Sequence, residues 1–202
     1  HTAAILLEPI QGEGGIRPFS ESFIYEVKKI CQQNEILLCF DEVQTGIGRT
    51  GSFFAHQIWD LEPDIIATAK GLGGGFPVGA CLSTAKVAAG MLPGTHGSTF
   101  GGNPLAMAAA NAVIDTILED NFLDQVRLLG AKLMSNLSKI KDKYDDKIIE
   151  IRGRGLMLGL KFSCSTEGLV SVLRNNGLLT VPAGDNVIRL LPPLVIKERD
   201  IV

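Results

Sequence analysis

The stretch ILLCFDE, Ile36–Glu42, is a short apolar run that ends in two adjacent carboxylates. A continuous apolar run of this length is typical of a strand buried on both faces. A second such run, Asp64–Ala69, leads directly into Lys70. Open parallel α/β sheets bind their ligands beyond the carboxyl ends of the strands. An acid and an amine at two neighbouring strand ends are therefore expected to face the same crevice.

The residues before Ile36 extend the same pattern. The apolar run Ala3–Leu7 predicts another strand buried on both faces, and a helix is predicted over Ser20–Gln33, with Ser20 as its N-cap. The apolar stripe of this helix is expected to consist of Phe23, Val27 and Ile30. Strand, helix and strand at this spacing predict an α/β fold with a mainly parallel sheet.

The residues after Lys70 divide into a glycine-rich stretch and a second block. Residues 71–102 hold ten of the 23 glycines and are predicted to form loops. Helices are predicted over Pro104–Glu119 and Phe122–Tyr144. A smaller α+β domain should follow, with a helix at Glu167–Asn175 and strands at Ile148–Arg152, Leu156–Phe162, Leu178–Val181 and Val187–Leu190. We therefore expect one domain over residues 1–120 and a second over 121–202.

Composition narrows the class of partner. The chain is 46% hydrophobic and 20% charged, with a net charge of −3, which excludes intrinsic disorder and offers no basic surface for nucleic acid or anionic lipid. Residues 87–114 contain no charged side chain, but seven glycines and prolines break them, so they predict a buried loop and a buried helix rather than a membrane span. A small molecule is the expected partner.

The cysteines and the chain ends indicate the setting of the chain. Cys31, Cys39 and Cys81 lie in apolar runs, where buried free thiols are expected, and no spacing suggests a metal site. We predict a cytoplasmic location. Because an apolar run follows His1 almost at once, and the last residues resemble the start of a helix, we expect a piece of a longer protein.

Lys70 is the candidate nucleophile. A lysine that follows a strand is usually a solvated surface charge, but the acid at the preceding strand end and the glycine-rich stretch behind Lys70 favour a function. Desolvation would free its amine as a nucleophile. A pocket that holds an amine and a carboxylate suits pyridoxal phosphate, because the amine forms a Schiff base and the acid keeps the pyridine nitrogen protonated.

Four motifs carry a resemblance to a known family: EPIQGEGG (Glu8–Gly15), FDEVQTGIGRTG (Phe40–Gly51), PDIIATAKGLGGGFPVGA (Pro63–Ala80) and HGSTFGGNPLA (His96–Ala106). In this order they resemble the class III, or ω-, aminotransferases of the fold-type I pyridoxal 5'-phosphate superfamily. Together with PAGDNVIRLLPPL (Pro182–Leu194), the last motif is most similar to the acetylornithine branch. The resemblance implies part of a large cofactor-binding domain followed by a small α+β domain that stops short of its end.

The resemblance implies roles for four residues around the cofactor. Lys70 matches the Schiff-base lysine, which also moves a proton, and Asp41 matches the acid paired with the pyridinium nitrogen. Val43 matches the residue that presses on one ring face, and Gln44 the residue that bonds the phenolic oxygen. Judged without the family, Val43 is a buried aliphatic and Gln44 a solvated turn residue.

Thr99, with Ser98 beside it, matches the residue that reaches the cofactor phosphate of a neighbouring subunit, which implies a homodimer. The structural alternative is that both residues cap the helix that begins near Pro104, a role that is compatible with phosphate binding. The phosphate-binding turn and the aromatic residue that stacks on the ring in this family have no counterpart in the sequence.

Arg189 and Glu13 match the substrate-binding pair of the family. Arg189 lies in an apolar strand and matches the arginine that grips a substrate carboxylate. Glu13 matches the glutamate that pairs with this arginine when the other substrate is bound; alternatively, it is an exposed carboxylate in a glycine turn. Arg49 and Arg152 are expected in structural ion pairs.

The resemblance implies transfer of the terminal amino group of N-acetylornithine to 2-oxoglutarate, which yields glutamate, in arginine biosynthesis. Two alternatives stay open. One is another class III enzyme: an ornithine, succinyl-diaminopimelate or 4-aminobutyrate aminotransferase, an aminomutase or a decarboxylase. The other is an inactive remnant that only dimerises.

Overall fold

The chain forms ten strands and five α-helices over residues 1–201, the part of the sequence that the computed structural model describes. The strands are β1 Ala4–Leu7, β2 Ile10–Gln11, β3 Arg17–Pro18, β4 Leu37–Asp41, β5 Ile65–Thr68, β6 Ala80–Ser83, β7 Ile148–Arg154, β8 Met157–Phe162, β9 Val181–Ala183 and β10 Val187–Leu190. The helices are α1 Glu21–Gln33, α2 Ala85–Ala88, α3 Pro104–Ile117, α4 Phe122–Lys143 and α5 Leu169–Asn175.

The chain divides into two compact units. The first contains residues 1–9, 19–47 and 52–122, and the second contains residues 10–18, 48–51 and those from 123 onward. Two short segments from the first half of the sequence, Ile10–Pro18 and Gly48–Gly51, thus belong with the second unit. The predicted single boundary near residue 120 lies close to the last of the points at which the chain passes from one unit to the other.

The first unit is built on a four-stranded sheet in the order β1-β4-β5-β6. Strands β1, β4 and β5 are parallel, and β6 is antiparallel to β5. The predicted mainly parallel α/β sheet is confirmed. The expectation that β1 is buried on both faces is wrong for this chain, because β1 lies at the edge of the sheet and Leu6 is 66% exposed.

Helix α1 covers this sheet through one apolar face. The Ser20 hydroxyl accepts a hydrogen bond from the Phe23 N–H at 3.3 Å, which confirms the predicted N-cap. Ile24, Val27 and Cys31 are its buried residues and pack with Leu38 and Phe40 of β4. The prediction was correct for Val27 but wrong for Phe23 and Ile30, which are exposed. Their neighbours Ile24 and Cys31 are buried instead, so the buried face is rotated slightly around the helix.

The glycine-rich stretch after Lys70 contains more structure than predicted. It forms a 3-10 turn at Lys70–Gly73, strand β6 and the short helix α2. Met91 to Gly102 are exposed, so the buried loop predicted there is absent within this chain. Asn103 caps α3 by accepting from the Ala106 N–H at 2.9 Å, and Pro104 occupies the first turn. The capping alternative for Ser98 and Thr99 is therefore wrong.

The second unit is built on an antiparallel sheet in the order β7-β8-β10-β9, with the hairpin β2-β3 beside β7. Helix α4 packs closely on the β7–β8 hairpin: a Cβ on Gly130 would lie 2.5 Å from the carbonyl oxygen of Gly155. Strand β9 begins at Val181, so the strand predicted from Leu178 was placed too early. The α+β pattern predicted for this half is confirmed.

Of the three cysteines predicted to be buried, two are buried. Cys31 and Cys39 are buried free thiols, as predicted, and burial raises the pKa of both; Cys81 is exposed, contrary to the prediction. Across the described residues, no helix combines the length and the apolar character that crossing a bilayer requires.

Candidate active site

Asp41 and Lys70 leave the sheet of the first unit at the same edge. Strand β4 ends at Asp41, which pairs in register with Ala67 of the parallel strand β5, and Lys70 follows Ala67 by three residues. The carboxyl end of β4, at Asp41, therefore lies beside the carboxyl end of β5, from which the chain continues to Lys70. This is the edge at which open parallel sheets bind ligands.

Lys70 stands at a sharp change of backbone direction. It opens the 3-10 turn with φ 46°, the left-handed region that non-glycine residues seldom adopt. The turn packs on α3, where a Cβ on Gly74 would lie 2.8 Å from a methyl group of Val113. Within residues 1–201 the Lys70 amine makes no hydrogen bond or ion pair, and the side chain is exposed. A strained backbone thus presents an amine with no partner of its own.

Asp41 begins a tight turn that carries the other two predicted contacts. Its Oδ1 accepts a hydrogen bond from the Val43 N–H at 3.0 Å, and no cation within residues 1–201 pairs with its carboxylate. Val43 and Gln44 are both half-buried. The structure thus places Asp41, Val43 and Gln44 in one turn at the strand edge that Lys70 also occupies.

Ser98 and Thr99 lie elsewhere in the first unit. They belong to the exposed segment before α3, and their hydroxyl groups form no hydrogen bond within residues 1–201. Phe100, the next residue, is 82% exposed. Within residues 1–201, no hydrogen bond therefore joins Ser98 or Thr99 to the Asp41 turn of the same chain.

In the second unit, Arg189 and Glu13 form an ion pair. The Arg189 Nη1 lies 2.5 Å from Oε1 of Glu13, and Nη2 donates to the carbonyl oxygen of Pro182 at 3.1 Å. Arg189 is 5% exposed because its strand, β10, lies between β8 and β9, whereas the Glu13 side chain is 73% exposed. The pair thus joins a fixed guanidinium to a carboxylate open to solvent.

Backbone contacts hold the turn that carries Glu13. The Gly184 N–H donates to the carbonyl oxygen of Glu13 at 2.8 Å, and the Arg152 guanidinium donates to the carbonyl oxygen of Gly15 at 3.2 Å. Gly184 belongs to the turn between β9 and β10, the strand of Arg189. The same hairpin therefore positions both members of the pair.

Asp185, in the turn between β9 and β10, forms ion pairs with three cationic side chains. Its Oδ2 lies 2.8 Å from Arg17, 2.9 Å from Arg152 and 2.9 Å from Lys161. Hydrogen bonds from Lys161 and Arg152 lower the pKa of Asp185 from its usual 3.8 to about 2. The predicted structural ion pair of Arg152 is confirmed.

Arg49 differs from the prediction. Its guanidinium donates to the carbonyl oxygens of Leu156 at 3.1 Å and Pro192 at 2.5 Å, and no carboxylate of residues 1–201 is within ion-pair distance. Burial without a counter-charge lowers its pKa to about 10, so it remains cationic at neutral pH. It ties backbone segments together rather than forming an ion pair.

Glu42 and His56 form a buried acid–imidazole pair that the sequence analysis missed. The Glu42 carboxylate is completely buried, and its Oε1 lies 3.0 Å from Nδ1 of His56. A second acid directly after a strand-end aspartate was the only signal in the sequence. The partner lies 14 residues further along, so no local pattern identifies it.

Comparison with known proteins agrees with this geometry. The sequence model of the family Aminotransferase class-III matches residues 1–202. The acetylornithine aminotransferase of Agrobacterium fabrum is 56% identical over 194 residues, which are 96% of this chain and 49% of that protein. The chain spans about half the length of the curated relatives it matches.

Solved structures share the fold. The acetylornithine aminotransferase of Elizabethkingia anophelis superposes with a TM-score of 0.91 at 40% identity, covering 98% of this chain and 51% of that one. An ornithine aminotransferase of Toxoplasma gondii, described with partial occupancy of PLP at its active site, gives a TM-score of 0.92 at 36% identity, covering 98% of this chain and 48% of that one.

Together, the strand-edge lysine and acid and these relatives define a fold-type I, pyridoxal-phosphate-dependent transferase. Within that class the chain belongs to the class III aminotransferase family. Its residues fit the cofactor of this family, pyridoxal 5'-phosphate. Among the residues that the structure describes, Lys70 offers an amine without an ion-pair partner, and Asp41 offers a carboxylate that no cation neutralises.

Proposed function

We propose that the whole protein transfers the terminal amino group of N-acetylornithine to 2-oxoglutarate, a step that serves arginine biosynthesis. Relatives named acetylornithine aminotransferase, at 46–56% identity, support this choice of donor. The observation that carries the proposal is the ion pair between Arg189 and Glu13. We propose a cytoplasmic enzyme, as the sequence predicts.

The Arg189–Glu13 pair suits an enzyme that binds two different substrates in turn at one site. A terminal amine donor has no carboxylate beside its reacting carbon, whereas 2-oxoglutarate has one. Buried guanidinium groups are costly when unpaired, so Glu13 would neutralise Arg189 while the amine donor is bound. When 2-oxoglutarate binds, its carboxylate would take the place of Glu13 as a bidentate partner. The exposure of Glu13 leaves it room to move aside.

The chain's own groups divide the work around the cofactor. When bound, pyridoxal phosphate supplies a conjugated ring that accepts the electron pair left when the substrate carbon loses its proton. Lys70 would hold the cofactor through Nζ, and the same amine would take that proton and return it. Asp41 would keep a proton on the ring nitrogen, Val43 would limit movement of the ring, and Gln44 would bond its phenolic oxygen.

We further propose that the enzyme is a homodimer in which Thr99, with Ser98 beside it, reaches the cofactor phosphate of the neighbouring subunit. Two observations support this. Thr99 lies in an exposed segment without charged side chains, and exposed Phe100 and Leu105 follow it. Apolar surface of this kind is costly to leave in water and suits burial against a second copy.

A substrate panel tests the proposed donor. The whole protein, loaded with pyridoxal phosphate, is assayed with 2-oxoglutarate and N-acetylornithine, ornithine, succinyl-diaminopimelate or 4-aminobutyrate. We expect the highest kcat/KM with N-acetylornithine. A higher value with another amine would reassign the donor, and no transfer from any amine would favour an inactive remnant.

A further inference from the structure

The Glu42 side chain is fully buried directly beside the residues assigned to the cofactor. We propose that Glu42 and His56 form a positioning pair, which fixes the turn Asp41–Gly46 so that Asp41 and Gln44 meet the cofactor in the correct geometry. This inference rests on the proposed function only in that Asp41 and Gln44 are taken as cofactor contacts.

Four donors surround the Glu42 carboxylate. Oε1 lies 2.9 Å from the His56 backbone nitrogen and 3.0 Å from Nδ1 of the His56 ring. Oε2 accepts from the Ala55 N–H at 3.0 Å and from the Thr45 hydroxyl at 2.5 Å. A buried carboxylate is tolerated only when hydrogen bonds replace its water. The two segments it joins are therefore held together at one point.

The His56 side chain is itself fixed. Its ring lies nearly parallel to the rings of Phe40 and Phe54, with centroid distances of 6.0 and 5.7 Å. Phe40 is a completely buried residue of β4, the strand that ends at Asp41. The imidazole thus bonds Glu42 from a position set by the core of the first unit.

The backbone of the turn depends on the same residue. The Glu42 N–H donates to the carbonyl oxygen of Ala67 at 2.8 Å, and the Gly46 N–H donates to the carbonyl oxygen of Glu42 at 2.9 Å. A Cβ on Gly46 would lie 2.8 Å from that oxygen, so the turn is closed tightly. Main chain and side chain of Glu42 therefore tie the turn to β5 on one side and to His56 on the other.

The donor arrangement requires a carboxylate rather than an amide. Each oxygen of Glu42 faces one backbone N–H, from Ala55 or from His56, and a backbone N–H cannot become an acceptor. A glutamine in either orientation would place its NH₂ group against one of them. In Glu42→Gln, the side-chain NH₂ group would therefore face a backbone N–H donor, although the volume of the side chain is nearly unchanged. This clash of two donors should displace the turn.

The test compares Glu42→Gln with Leu137→Ala, a core variant in α4 whose buried side chain packs with Leu158 and Leu160, in a cluster separate from that of Phe40. Cofactor dissociation constants are measured by titration of the apoenzyme with pyridoxal phosphate, together with the visible absorption band of the bound cofactor and thermal unfolding of the apoenzyme. We expect Glu42→Gln to bind the cofactor about tenfold more weakly and to shift the band. Leu137→Ala should lower the unfolding midpoint but keep affinity and band within error of the wild type.

Equal losses of affinity in both variants would reduce Glu42 to a general stabilising role and overturn the proposal, as would unchanged affinity and band in Glu42→Gln. If Glu42→Gln does not fold, Thr45→Val, which removes one of the four donors, decides by the same criteria with an expected weakening of about threefold. A wild-type enzyme that does not bind pyridoxal phosphate would instead contradict the proposed function.

Discussion

Glu13 and Arg189 lie 176 residues apart in the sequence, yet their side chains meet at 2.5 Å, one largely exposed and the other almost fully buried. A buried arginine held by a solvent-exposed acid is an asymmetric pair. Removing the acid leaves the guanidinium in place, whereas removing the arginine would remove the proposed contact to the substrate carboxylate. Substitution of Arg189 and substitution of Glu13 are therefore expected to change the KM for 2-oxoglutarate in opposite directions.

Arg189→Lys should raise KM for 2-oxoglutarate about ten- to a hundredfold, because an ammonium cannot form the bidentate contact, which is worth roughly 1.5–3 kcal/mol. Glu13→Gln should lower the same KM by only about 1.5- to 5-fold, since an ion pair to an exposed acid is worth roughly 0.2–1 kcal/mol. Steady-state kinetics with both substrates varied measures these values. A KM unchanged in both variants would remove the pair from the substrate site.

Asp41→Asn should fold and bind pyridoxal phosphate but lose activity by orders of magnitude. The Asn oxygen can still accept the Val43 N–H, so the turn persists, while the ring nitrogen loses its anionic partner. Cofactor titration and single-turnover rates separate the two effects. Activity near that of the wild type would show that the Asp41 carboxylate serves only the turn.

The three ion pairs of Asp185 predict that the protein loses folding stability at acid pH. Because the folded-state pKa of Asp185 is about 2 and its usual value is 3.8, the unfolded chain binds more protons between these values. The contribution of Asp185 to stability is therefore complete above about pH 4 and is lost as the pH falls towards 2.

Asp185→Asn is the matched control, since Asn also tolerates the left-handed backbone at this position, where φ is 63°. Urea midpoints of both proteins at several pH values from 7 to 2 give the comparison. The difference between the two should be largest at pH 7 and shrink below pH 4. A difference independent of pH would contradict the role of the three cations.

Mixing two inactive variants tests the shared site. In a dimer of Lys70→Ala and Thr99→Ala chains, one site carries both changes and the other carries neither. Random exchange makes about half of the dimers mixed, so about a quarter of wild-type activity should return. Subunit exchange is followed with differently tagged chains. Exchange without recovered activity, or an active monomer in sedimentation, would contradict the proposed contact of Thr99.

The local parts of the fold could be predicted from the sequence, and the long-range parts could not. Ser20 as an N-cap and the apolar run of β4 are local signals, and both were confirmed. The face of α1 was misjudged because Phe23 and Ile30 lie beside Ile24 and Cys31 on the helix surface, and only packing on β4 decides which pair is buried.

The candidate site shows the same division. Asp41 is the last residue of β4 and Lys70 is the second residue after β5, so strand ends were enough to bring them to one edge. Partners from distant segments were missed: Arg49 bonds carbonyl groups near residues 156 and 192, and Glu42 meets His56. Such contacts depend on tertiary packing, and no regular spacing of residues in the sequence indicates them.

The central claim, that Lys70 carries the cofactor of a class III aminotransferase, is tested most directly by chemical trapping. The whole protein is loaded with pyridoxal phosphate and reduced with borohydride, and its peptides are mapped by mass spectrometry. We predict one phosphopyridoxyl group, on Lys70, and none in Lys70→Ala. A stoichiometric adduct on another lysine, or no adduct in a protein that has bound the cofactor, would contradict the claim.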